Sequence, residues 1–108
     1  MSIGALMSDL LTGLMTWFQE QCDGEWENDH GVSVQSCDNP GWWVKIDLAR
    51  TRLEGRPFTA IKRGELSSLD PQPPWLHCYV EGDVFNGVGD PTTLKEILEV
   101  FLSWAARE

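Results

Sequence analysis

Residues 42–48 set the strongest constraint on the fold. Trp42, Val44, Ile46 and Leu48 alternate with Trp43, Lys45 and Asp47. In an extended strand such neighbours point to opposite faces. One face is then apolar and the other mixed, the pattern of a strand in a sheet covered on one side only. Asp38-Asn39-Pro40-Gly41 just upstream is a turn cluster. Val32 and Val34, alternating with Ser33 and Gln35, predict a further strand before that turn. A sheet of this kind needs a second layer on its apolar face.

The two ends of the chain supply that layer. Met7, Leu10, Leu11, Leu14, Phe18 and Cys22 recur at steps of three and four, and Trp17 widens the stripe, so the first element reads as a helix. Ser8 is its expected N-cap, Asp9 suits the positive end of the dipole, and Gly24 is the expected stop. Gly13 inside the helix costs roughly 1 kcal/mol against Ala, which close packing would justify. At the other end Asp90 is the expected cap and Pro91 the first helical residue. Leu94, Ile97, Leu98, Phe101 and Ala105 form the stripe of that helix, bordered by Trp104. Between the helices a third strand falls within residues 57–66, and a loop with three prolines covers 67–74. A fourth strand covers 75–81, Gly82-Asp83 makes a two-residue turn, and a fifth strand covers 84–88. The expected architecture is α+β: an N-terminal helix, an antiparallel meander of about five short strands and a C-terminal helix, in two layers. The 108 residues suit one domain, with residues 1–8 expected to be flexible.

The chain carries eight Lys and Arg against seventeen Asp and Glu, a net charge of −9. Residues 1–44 hold seven acids and no Lys or Arg, whereas residues 45–63 hold six bases and two acids. This balance argues against nucleic acid and against an anionic membrane surface as partners; it suits either a basic partner or simply a soluble protein. The first six residues hold no Lys or Arg, so a secretory leader is not expected, and Met7 could serve as an alternative start. No apolar run approaches the ~20 residues of a membrane span. Three cysteines, Cys22, Cys37 and Cys78, predict thiols rather than a disulfide framework, and a cytoplasmic location.

No catalytic constellation is legible. The two histidines, His30 and His77, sit in no nucleophile signature, and a strand histidine such as His77 is usually structural or solvent-facing. No CxxC or HxxxH pair occurs, and His77 and Cys78 would face opposite sides of a strand, so no metal site is expected. The acidic run 23–29 lacks the glycine at the sixth position and the glutamate at the twelfth that an EF-hand loop uses, and reads as a solvated loop. Gly87 and Gly89 precede a helix without a phosphate-binding lysine and read as turn formers. Of the six tryptophans, Trp17, Trp42 and Trp104 fall on apolar faces and read as core, and Trp75 as partly buried. Trp26, embedded among Glu25, Glu27 and Asp29, and Trp43, opposite Trp42, are either covered by a loop or exposed as interface anchors.

Several blocks together resemble a known family. Trp17-Phe18-Gln19-Glu20-Gln21-Cys22-Asp23-Gly24-Glu25-Trp26-Glu27 is similar to the signature of the immunity-53 family of bacterial polymorphic toxin systems. So is Cys37-Asp38-Asn39-Pro40-Gly41-Trp42, followed by Val44, Ile46, Asp47 and Leu48, although Cys37 stands where a residue such as Leu is expected. Trp75-Leu76-His77-Cys78, and Phe85 to Pro91 leading into the final helix, extend the resemblance over about residues 10–103. Residues 50–74 match least well. The resemblance implies a small, cytoplasmic, non-enzymatic protein that protects the producing cell by binding a toxin encoded nearby; no cofactor is expected. It brings no catalytic residues with it. On charge and composition, the expected partner surface is the acidic loop with Asp23, Glu25, Trp26, Glu27 and Asp29, with Trp43 as a further candidate. A basic nuclease would be a fitting target. The competing readings are an acidic interaction domain unrelated to toxins and a metal-binding protein using loop 23–29.

Overall fold

A computed structural model of the chain describes residues 3–38, 40–64 and 75–107, with side chains from residue 9 onward. The elements are helix α1 (Ile3–Gln21), the single-turn helix α2 (Trp26–Asp29), strands β1 (Val32–Cys37), β2 (Gly41–Asp47), β3 (Ile61–Arg63), β4 (Leu76–Glu81) and β5 (Val84–Gly89), and helix α3 (Leu94–Ala105). Apart from the unexpected single turn α2, this is the expected α+β order of helix, five strands and helix. The loop expected over 67–74 lies outside the described residues.

Every strand pairing is antiparallel, but the sheet is not the expected meander. Its spatial order is β1-β2-β5-β4-β3. The pairing of β1 with β2 and the turn at 82–83 fix only the neighbours they join, and Gly82 and Asp83 both take φ +59, as a two-residue hairpin favours. The long connection 48–60 decides the rest. Leu53 within it is fully buried, Phe58 packs edge-on against Trp104 and Phe85, and the Trp104 indole N–H donates to the Pro57 carbonyl at 3.0 Å. Held in this way against the helical layer, the chain crosses to the far edge. β3 therefore starts there, and β5 returns to the centre beside β2.

The covered face carries Val44 and Ile46 of β2, Leu76 and Cys78 of β4 and Phe85 of β5, packed with Ile97, Phe101, Trp104 and Ala105 of α3. Gly87 and Gly89 belong to β5 and are not turn formers. A Cβ on Gly87 would sit 2.3 Å from Ile97 Cγ2, and one on Gly89 2.0 Å from Thr93 Oγ1. The bare backbone at these positions lets α3 lie close to the sheet.

Both helix starts differ from expectation. α1 begins at Ile3, so Ser8 lies inside it and is not its cap; the run Ala5-Leu6-Met7 consists of good helix formers and contains nothing to stop the helix. Gly24 takes φ +96, as a stop just past the helix requires. α3 begins at Leu94 with Thr93 as N-cap. The Asp90 carboxylate instead accepts from the Thr92 backbone N–H and hydroxyl, at 2.7 and 2.6 Å, and the Asp90 carbonyl takes the Thr93 N–H. That local turn satisfies Asp90 and Pro91 ahead of the helix and delays its start.

α1 packs on α3, close enough that a Cβ on Gly13 would meet Leu102 Cδ1 at 3.1 Å. The close packing expected of Gly13 is present. The buried side of α1 is centred on Trp17, which meets Phe101 and Trp26 edge-on with centroids 5.1 and 6.2 Å apart. Leu11 and Phe18, both expected in the buried stripe, are exposed. The helix touches a neighbouring helix along one narrow line, which cannot cover the whole stripe.

Candidate functional site

The acidic segment after α1 folds into a tight turn built on its own carboxylates. Asp23 Oδ1 accepts the backbone N–H groups of Glu25 and Trp26, each at 2.9 Å. Glu27 reaches back, Oε1 to the Asp23 N–H at 3.0 Å and Oε2 to the Gly24 N–H at 2.9 Å. The arrangement is reciprocal, in the manner of a capping box. The Trp26 N–H, then that of Glu25, holds the Asp23 carboxyl below its ordinary value. Glu25 points outward toward Arg50, at 3.6 Å, and Asp29 is exposed on α2.

Trp26 is not a surface anchor. It is 2% exposed, and its indole N–H donates to the Ala49 carbonyl at 2.8 Å. Its ring lies in the core cluster with Trp17 and Leu48. The apolar bulk of the side chain found the core, and the single polar atom found a carbonyl on the β2–β3 connection. The structure thus brings Asp23, Glu25, Glu27 and Asp29 together as an exposed acidic turn riveted by Trp26.

Trp43 stands elsewhere, on the sheet face turned away from both helices. Adjacent strand residues diverge, as the alternation predicts, but Trp42 is half-buried at the edge of the core and not within it; its indole N–H donates to the Pro91 carbonyl at 3.0 Å. Trp43 donates to Asn86 Oδ1 at 3.1 Å, and Lys45 Nζ lies 4.1 Å above its ring. Directly paired positions line up Gln35, Trp43, Val88, His77 and Lys62 across the sheet. Trp43, Lys45, Tyr79, Val84 and Asn86 surround a shallow hollow of about 400 Å³. His77 rests against Tyr79, centroids 4.6 Å apart, with Cys78 buried on the other face. Burial pushes the Cys78 thiol up to about 12.

Sequence reasoning missed one feature of the surface. Leu11, Met15 and Phe18 are 53%, 68% and 36% exposed and lie along one side of α1. Their 4-3 spacing was visible, but it runs beside the buried line and shares residues with the stripe assigned to the core. Among the described residues no group of three or more His, Cys, Asp or Glu side chains could hold a metal ion, and no helix is long and apolar enough to cross a membrane.

The family model Immunity protein 53 matches residues 11–106. The chain belongs to the immunity protein 53 family. The match takes in all five strands, the acidic turn, the Trp43 face and α3. Comparison with curated proteins and with solved structures gave no match. Membership in the immunity protein 53 family implies an immunity protein whose partner is a toxin, in a class that is generally non-enzymatic.

Proposed function

We propose that this protein binds and neutralises a cognate toxin in the cytoplasm of the producing cell, and that the toxin's contact surface is cationic, as in a nuclease with a basic substrate groove. The observation that supports this reading most is the exposed, internally braced acidic turn 23–29, in an N-terminal stretch, residues 1–44, without one Lys or Arg. A rigid cluster of like charge speeds encounter with an opposite surface and repels wrong partners. Because the turn is braced, its charges stand in place before binding, at little ordering cost.

Asp23 and Glu27 hold the turn together, so the informative variant changes the other two carboxylates. Glu25→Lys with Asp29→Lys should keep the parent's thermal midpoint. Its association rate with the toxin from the neighbouring reading frame should fall at least tenfold at low salt, with a flatter salt dependence. Co-expression of the parent with that toxin should restore growth. Absence of growth rescue would overturn the immunity reading for this toxin. An unchanged rate in the double variant would remove the acidic turn as the recognition surface.

A further inference from the structure

We infer that Leu11, Met15 and Phe18 on α1 form the water-excluding centre of the toxin contact, with the acidic turn as its rim; this rests on the toxin-binding reading above. The three side chains, with Cys22 continuing the line, fall within an arc of about 60° at 100° per residue, away from the face that buries Trp17. They are large, contiguous and open, unlike scattered surface hydrophobes. The lower end of the line joins the acidic turn, since the Phe18 ring lies 6.0 Å from the Trp26 ring that rivets it. An apolar centre bounded by charge is the anatomy of a protein interface. Anchors at i, i+4 and i+7 fit a helix seated in a groove.

Charge selects the occupant. Residues 1–44 carry seven acids and no Lys or Arg. A second copy would bring the same acidic flank, and an anionic membrane would repel it. A toxin surface with an apolar groove and a cationic border satisfies both parts. It also supplies the desolvated anchor that Trp26, buried in the core, does not.

The test compares the parent with Leu11→Gln/Met15→Gln, using the immobilised toxin encoded by the neighbouring reading frame. Val34→Gln, at another exposed apolar residue, on β1 (44%), controls for general loss of surface hydrophobicity. We expect the double variant to dissociate on the order of 30-fold faster with little change in association rate, and the control to match the parent. Peroxide should oxidise Met15 in the free parent and spare it in the complex, a readout independent of how the variant folds. If the parent binds while Met15 stays unprotected, the stripe is not the contact and the toxin-binding reading stands. A parent that does not bind this toxin takes both readings with it. A parent that is dimeric alone, and monomeric as the double variant, would assign the stripe to a second copy and overturn the proposal.

Discussion

Trp17 and Trp26 meet edge to face in the core, yet their polar ends differ. The Trp26 indole N–H has the Ala49 carbonyl at 2.8 Å, while that of Trp17 is buried with no acceptor among the described residues. An unmade buried hydrogen bond costs more than a made one contributes. Trp26→Phe should therefore cost about 1–2 kcal/mol more than Trp17→Phe, because it strands a carbonyl where the other removes an orphan donor. Trp26→Ala should cost about 3–5 kcal/mol, and half-buried Trp42→Ala clearly less. Urea midpoints of the four variants check this ranking; equal losses for the two Phe variants would contradict it. At this scale the sequence identified Trp17 and Trp104 as core correctly. It misplaced Trp42 and left Trp26 open, because alternation gives the direction of a side chain but not how far the covering layer extends.

α3 ends without a basic residue in its own last turn, and the basic segment of the chain closes it instead. Arg52 donates to the Ala105 carbonyl, and Arg56 Nη1 to the carbonyls of Trp104 at 3.2 Å and Arg107 at 2.6 Å. Cations there satisfy orphan carbonyls and meet the negative end of the helix dipole. Replacing both with Met keeps the aliphatic stems and removes the donors. We expect a loss of about 1–2 kcal/mol, seen as a lower urea midpoint, together with faster amide exchange confined to the last turn of α3. The cluster of six bases in residues 45–63 was plain in the sequence, but its role was not. Charge pairing between segments some fifty residues apart depends on the path of the connection, and local pattern carries no information about that path.

The molecule balances a large negative charge against a few specific pairs. Arg63 makes a two-pronged pair with Glu96, at 2.6 and 2.8 Å, tying β3 at the sheet edge to α3. The hydrogen bond from Arg63 holds the Glu96 carboxyl below its ordinary value of 4.5. A lowered folded value means stability that is present above the ordinary carboxylate range and lost as pH falls through the folded value. Lowering the pH also relieves self-repulsion at −9, which acts the other way. The pH dependence of the difference between the parent and Arg63→Gln follows the Glu96 carboxyl of the pair. The difference should be small because both groups are partly exposed, constant from neutrality down to about pH 5, and vanish as Glu96 protonates. A difference that grows toward low pH would refute this assignment.

The sequence by itself determined what depends on neighbours a few residues apart. The 3.6-residue periodicity found the two long helices, though not where they start, two-residue alternation found β1 and β2, turn signals bracketed the other strands, Gly82-Asp83 set its hairpin, and Trp43 and Trp42 diverged as pleating demands. The order of the strands, the turn of α1 about its axis and the pairing of Arg52 and Arg56 with α3 were decided only in three dimensions. Each depends on contacts between segments far apart in the chain, chosen by which arrangement buries Leu53, Trp26 and Phe85 together. The candidate contact surface divides in the same way. Its charge was legible in composition, because exposed acids need no partner to be recognised. Its apolar centre was not, because Leu11 and Phe18 read as core until the narrow packing of α1 on α3 left them facing water.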